Sequence, residues 1–470
     1  MSGKRAKQRR KAASKKFETD KSPKDVTVNL LKTVQILEKL VTESLCDMVF
    51  KKTRDRQRQR VWSLYQLAEF WQAVILRAPQ SLTQALEAAA MDIPDWPKVQ
   101  ATPEAFFQRS RDLSWKFFRA LYQAFVAKIA KISAEDFAGE WKSLRKRFSN
   151  LWIIDGSRLD AIAHRLKILW KHKGVVLPGC LTACYDLFRG YAPLLHFSEK
   201  AAESEMARFE EILPQIPEDT LVMGDRIYAM AKHFKLLSDS QKWGLFGRHA
   251  NLKLRKVKCL SRQRLKGAVL EDWLVEVGTA PNTPKLTLRW IHLRIKRGGD
   301  YEWLTNVLDP QRLSAQEISE LYPDRWNVER LFYDLKEVLN LHRFYAANAN
   351  AVGAQVYAAA MVYTAMRVAQ ARIAKQVGLE PEKISTGKFF PRMAAAVSLW
   401  ACLCGGSEMM RESNQGVKLK EPRWERMKFA SVRLDHILVE ERHGPRMDTR
   451  KTKKDRQWKS LSDLIAISKN

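Results

Sequence analysis

No run of about 18 apolar residues occurs anywhere in this 470-residue sequence, so no membrane-spanning helix is predicted. The basic N-terminus has no apolar segment behind it, which argues against a secretory signal. Cysteine is sparse: Cys46, Cys180, Cys184, Cys259, Cys402 and Cys404. None forms a Cys-x-x-Cys pair with a second pair or a His pair at zinc spacing. They read as reduced, buried thiols of a cytoplasmic protein. Acid is missing from residues 1–16, which hold eight Lys or Arg. Such a block cannot collapse. It reads either as a segment that stays disordered until it meets phosphate or as a solvated solubility tail.

What is present points to a folded chain with a polyanionic partner. At 470 residues the chain is long enough for two to four domains with real cores, and 46% apolar residues mean that most of it should fold. The formal net charge is +30. Neutralisation of phosphates by Lys and Arg dominates nucleic-acid affinity, so this excess favours a nucleic acid. An anionic membrane surface is the weaker reading, because the aromatic residues are scattered and no amphipathic Lys-Trp helix stands alone.

Patterning divides the chain into a basic tail (1–25), a helical region (26–144), an α/β region (145–250), a basic β-rich insertion (251–308), a return of the α/β region (309–380), and C-terminal helices with a basic tail (381–470). In the helical region Val28, Leu31, Val34, Leu37, Leu40 and Val41 recur at helical spacing, as do Trp62, Leu64, Leu67, Phe70, Trp71 and Ile75. A break rich in proline (Pro94, Pro97, Pro103) follows. This region either docks on DNA ends or serves packing only. Strands are predicted at 151–154, 179–187, 191–197, 220–223 and 243–246, with helices at 161–170, 199–213 and 228–237 between them, an α/β alternation. Residues 251–300 hold twelve Lys or Arg against four Asp or Glu. Strands at 252–260, 273–277 and 285–296 there could form a basic DNA-contacting sheet or merely a sheet with a wet side. Ser314-Ala-Gln-Glu317 is a capping box. It opens a helix to about Leu341 with a kink or restart at Pro323. Further helices are predicted near 350–376, 388–404 and 460–467.

Three stretches place a carboxylate where a metal ligand could sit. Asp155 follows the apolar run Leu151–Ile154, and Asp225 follows Leu221–Gly224. Glu329 lies in Tyr322-Pro-Asp-Arg325-Trp-Asn-Val-Glu329, with Lys336 seven residues later. At about 100° per residue, Tyr322, Arg325, Glu329 and Lys336 share one helical stripe roughly 60° wide. A pure core face would be apolar, and a solvated face would not need the tyrosine. A phosphate-facing edge uses all four, with the acid holding a cation. Two Mg²⁺ ions about 4 Å apart need oxygen ligands shared across such positions, one ion activating the attacking oxygen and the other stabilising the leaving one. Taken singly, an Asp after a strand is usually a turn or cap residue, and a helical Glu near Arg a surface ion pair. The conjunction carries the weight.

These motifs resemble those of insertion-sequence transposases of the DDE type, in the branch marked by Tyr-x2-Arg-x3-Glu-x6-Lys. Tyr322, Arg325, Glu329 and Lys336 match that signature without a gap. Asp155 sits in the strand-Asp-Gly-Ser setting, and Asp225 in Asp225-Arg226-Ile227-Tyr228, where Ile227 stands in place of the family's frequent Gly. The likeness covers roughly 145–375. It implies an α/β, ribonuclease H-like catalytic core with a β-rich insertion, flanked by helical N- and C-terminal regions. It also implies dependence on two Mg²⁺ ions, for which Mn²⁺ can substitute, and cut-and-paste transfer. Asp155, Asp225 and Glu329 would be the catalytic metal ligands. Tyr322, Arg325, Lys336 and Arg226 would contact phosphates near the scissile bond. Trp303 resembles the aromatic residue that takes a flipped base in members passing through a hairpin, but it also opens a short apolar stretch and reads equally as an ordinary core residue. The implied partner is double-stranded DNA, both terminal repeats and target, bound by a homodimer in a bacterial cytoplasm and associated with the nucleoid. The rivals are an endonuclease of the same fold and a non-catalytic DNA-binding descendant.

Overall fold

The computed structural model describes residues 27–30, 40–53, 61–91, 93, 96–133, 136–137, 141–159, 179–200, 203–265, 267–278, 285–296, 298–346, 348–413 and 431–439. The basic tail, the predicted helices at 161–170 and 460–467, and Pro94 lie outside the described residues. The helix predicted from Val28 is corrected at its start: Thr27–Asn29 is a strand, β1, paired antiparallel with Ser431–Arg433 near the other end of the chain. Its β-branched Thr27 and Val28 suit a strand, and a partner remote in sequence, which periodicity cannot reveal, decides the conformation.

Five helices follow: α1 (Glu43–Thr53), α2 (Leu64–Arg77), α3 (Leu82–Ala90), α4 (Pro103–Asp112) and α5 (Trp115–Ile132). Local chemistry sets their starts. Ser63 and Gln66 form a reciprocal capping box at α2, and Ser81, Thr102 and Ser114 cap the next three. Their apolar faces belong to the same core cluster as residues of the α/β region such as Leu151 and Ile153.

The α/β region builds five strands: β2 (Asn150–Arg158), β3 (Cys180–Asp186), β4 (Tyr191–Ser198), β5 (Thr220–Gly224) and β6 (Trp243–Gly247). Helices α6 (Glu205–Ile212) and α7 (Ala231–Asp239) lie between them in sequence. Both are shorter than predicted: α6 begins six residues later than the pattern suggested, after the Ser204 N-cap, and a 3-10 turn at Arg226–Tyr228 precedes α7. The insertion adds β7 (Arg255–Leu265), β8 (Ala268–Val277), β9 (Leu286–Ile295) and β10 (Asp300–Thr305). All nine strands form one sheet, in the order β4-β3-β2-β5-β6-β10-β9-β8-β7. Only β2–β5 and β5–β6 are parallel. The unforeseen β10 joins β6 to β9 antiparallel, so the insertion extends the sheet of the α/β region.

Alternation along the strands sorts two faces. Leu151 and Ile153 of β2 and Leu221 and Met223 of β5 enter one core cluster, and Trp152, Ile154 and Val222 enter the other. The first face is covered by a helical run: α8 (Ala315–Leu321), a 3-10 turn at Tyr322–Arg325, α9 (Trp326–Tyr333) and a π-helical turn at Asp334–Val338. Then come α10 (Ala349–Gln376) and α11 (Thr386–Ser413). Helix α10 is buried nearly all round and packs against α2, α5 and β4, so it forms the spine joining the N-terminal helices to the sheet. Among the described residues, no helix is long and apolar enough to cross a membrane. Cys46, Cys180 and Cys184 are buried thiols, but Cys259, on the outermost strand β7, is exposed.

Candidate active site

Ile153 of β2 pairs with Met223 of the parallel strand β5. Asp155 and Asp225 each lie two residues further on. They therefore stand side by side, about 5 Å apart along the hydrogen-bonding direction. By alternation both project to the face that α9 covers. Asp155 is not beyond its strand, as the sequence suggested, but inside it, because β2 continues to Arg158.

The helical run that supplies Glu329 is tied to these strand ends. The Tyr322 hydroxyl donates to the Gly224 carbonyl at 3.0 Å and accepts from the Gly247 amide at 3.1 Å, linking β5 to β6. The Lys336 Nζ donates to Ser157 Oγ and to the Arg158 carbonyl, both at 2.7 Å, fixing the end of β2. The uniform α-helix assumed for the signature is replaced by 3-10 and π-helical turns on either side of α9. These changes of winding, one tighter and one looser, let Tyr322 and Lys336 reach different strands while α9 packs on β2 and β3.

Electrostatics ties the three acids together. Burial pushes the Asp155 carboxyl up to about 7, with Glu205 and Glu329 adding to the rise and the Gly156 amide and Arg325 opposing it. Burial also raises Glu329, which feels Asp225 as a further unfavourable charge and Arg325 as a favourable one. Each acid is meanwhile held by a local donor. Asp155 Oδ1 accepts from the Gly156 amide at 2.9 Å, Asp225 Oδ1 from the Ile227 amide at 2.7 Å, and Glu329 lies 3.4 Å from Arg325. Among the described residues, no group of three His, Cys, Asp or Glu side chains stands close enough as it is to hold a metal ion. Ligation requires rotation away from these local partners. Carboxylate oxygens are the donors that suit a hard divalent cation.

Tyr322 and Lys336, expected at phosphates, are thus engaged within the protein. Arg325 is largely shielded, with its guanidinium over the Trp326 ring, and Arg226 is exposed beside Asp225. Of the two readings of Trp303, a stacking face or a core residue, its burial fits the second: it is 4% exposed and belongs to the core. Its place in the middle of the sheet sets its ring against Tyr301 and Tyr322, facing protein rather than solvent. The exposed aromatics on α9 are Trp326, at 61%, and Tyr333, at 60%. Sequence reasoning also missed Glu205, which no spacing connects to Asp155. The one signal was the glycine after Asp155.

Residues 164–365 match the family described as the transposase DDE domain, a span that begins after Asp155 and includes Asp225 and Glu329. The probable transposase for insertion sequence element IS5377 of Geobacillus stearothermophilus is 25% identical over 166 residues, 35% of this chain and 43% of the relative. Transposase InsG for insertion sequence element IS4 of Escherichia coli is 22% identical over 197 residues, 40% of this chain and 42% of the relative. The chain thus spans less than half the length of these curated relatives. The solved synaptic complex of piggyBac transposase with hairpin DNA aligns over 91% of this chain and 89% of its own at 10% identity, with a TM-score of 0.35. The family match and the curated relatives together support an insertion-sequence transposase of the DDE type.

Proposed function

We propose that the chain is a DNA transposase with a ribonuclease H-like core, which cleaves and joins DNA strands at the ends of an insertion sequence. The observation that carries this reading is the side-by-side placement of Asp155 and Asp225 on parallel strands, under a helix that brings Glu329 to the same face. Asp155, Asp225 and Glu329 would hold Mg²⁺. When bound, the ions activate the attacking oxygen and stabilise the leaving one. The chain's own contribution is positioning. Tyr322 locks β5 to β6, and Lys336 locks the end of β2. Arg325 offsets the charge of Asp155 and Glu329.

The substrate would be double-stranded DNA. Exposed Arg226 lies at the site, and β7 presents exposed Lys256, Lys258 and Arg264, so phosphate contacts would give strong salt dependence. Assembly as a homodimer on paired ends belongs to the same proposal, as do the N-terminal helices as an end-binding region. The test uses a DNA fragment carrying the inverted repeats that flank the gene. Glu329→Gln should keep binding and lose Mg²⁺-dependent cleavage, and joined products distinguish a transposase from a nuclease. Cleavage by Glu329→Gln at the wild-type rate would refute the role given to Glu329.

A further inference from the structure

Asp272 on β8 pairs in register with Ile291 of β9, and Arg289 lies two residues before Ile291. The two charged side chains therefore stand diagonally on one face of the insertion, the face on which α8 packs. Both are fully buried. The guanidinium donates through Nε, at 3.1 Å, and through Nη2 to the two carboxylate oxygens of Asp272. Its Nη1 donates to the carbonyls of Val307 at 3.0 Å and Leu313 at 2.7 Å. Those carbonyls bound the loop from β10 to α8: Val307 lies just past the end of β10, and Leu313 directly precedes Ser314, the N-cap of α8. The helical run that starts there carries Tyr322 and Glu329. Strands β5 and β6 hold it at Tyr322, and the end of β2 holds it at Lys336. Arg289 holds its start. Arg147 grips the same loop through the carbonyls of Gln311 and Arg312 and through Glu317, but it is partly exposed and comes from the α/β region. Arg289 comes from the insertion.

Stability alone does not call for an ion pair at this place, because apolar side chains of similar volume serve a core as well or better. What apolar side chains cannot do is hold two carbonyls at fixed points. A planar fork clamped on a carboxylate can, since one of its nitrogens still has two protons to donate. We propose that Arg289, oriented by Asp272, is a positioning residue for Glu329. It fixes the start of the helical run, so the place of the acid depends on β8 and β9 as well as on β2, β5 and β6. The inference rests on the role proposed above for Glu329 and adds a residue that acts on it through the backbone.

The test is Asp272→Leu/Arg289→Met in the full chain, which fills the space of the pair and leaves the two carbonyls without their donor. Circular dichroism confirms the fold. On the terminal DNA fragment, affinity should stay within about twofold while single-turnover cleavage slows roughly 10–100-fold, the cost of a small misplacement of a catalytic group. Hydrogen exchange, read without DNA or metal, should be about tenfold faster or more for the amides of residues 315–329, with β2 and β5 unchanged. A folded double variant that cleaves at the wild-type rate makes the pair a packing element and overturns the proposal. Slowed cleavage with unchanged exchange places the defect elsewhere and overturns it too. If the wild type itself shows no Mg²⁺-dependent cleavage, the role of Glu329 falls; exchange then decides alone, faster exchange supporting the clamp and unchanged exchange overturning it. Should the double variant not fold, Arg289→Lys takes its place. A single ammonium keeps the charge but cannot span the carboxylate and both carbonyls, so cleavage by Arg289→Lys at the wild-type rate overturns the proposal.

Discussion

Without a cation, Asp155 should make the protein less stable as the pH rises, and Asp155→Asn should remove that penalty. The folded-state carboxyl is raised from 3.8 to about 7 by burial, with Glu205 and Glu329 contributing. The native chain therefore holds a proton that the unfolded chain releases near pH 4. A group raised in this way contributes fully below its unfolded pKa, and the contribution disappears as pH rises through the folded value. At about 1.4 kcal/mol per pH unit the ceiling is about 4 kcal/mol, lost between roughly pH 4 and pH 7. Half of that would still be a large share of a typical folding free energy. The assay is thermal melting in EDTA from pH 5 to pH 8 for wild type and Asp155→Asn. The variant's advantage should grow with pH, to about 2–4 kcal/mol at pH 8, and Mg²⁺ should reverse it by stabilising only the wild type. Parallel melting curves for the two proteins across that range would refute the reasoning.

Other perturbations have defined outcomes. Tyr322→Phe strands the Gly224 carbonyl and the Gly247 amide; it should cost about 1–3 kcal/mol in a denaturant titration and slow cleavage. Asp272→Ala leaves the fully buried Arg289 without its carboxylate and should cost about 3–5 kcal/mol, with Asp272→Ala/Arg289→Leu recovering much of the loss. Lys258→Ala with Arg264→Ala on β7 should lower the slope of log affinity for DNA against log salt by about 2 if both meet phosphate. An unchanged slope would move the DNA path off this strand.

The strands carrying the site were legible because Leu151–Ile154 of β2 and all of β5 are buried and read as apolar runs. The capping box at Ser314 named its helix for a local reason, two reciprocal hydrogen bonds within four residues. What failed to read depended on distant partners. Thr27–Asn29 becomes a strand because residues 431–433 pair with it. The short β10 is stabilised by neighbours on both sides, β6 and β9. The three acids were visible as motifs, but the winding changes around α9 were not. Those changes turn Tyr322 and Lys336 into braces within the protein. Glu205 was invisible because its charge reaches Asp155 only across the sheet, past Gly156, where a side chain would meet its carboxylate.

The most direct measurement is anomalous X-ray diffraction from crystals of the protein soaked in Mn²⁺. The account predicts manganese peaks bounded by the carboxylates of Asp155, Asp225 and Glu329, at the ends of β2 and β5. Manganese bound only elsewhere, with those three side chains still turned to Gly156, Ile227 and Arg325, would contradict it.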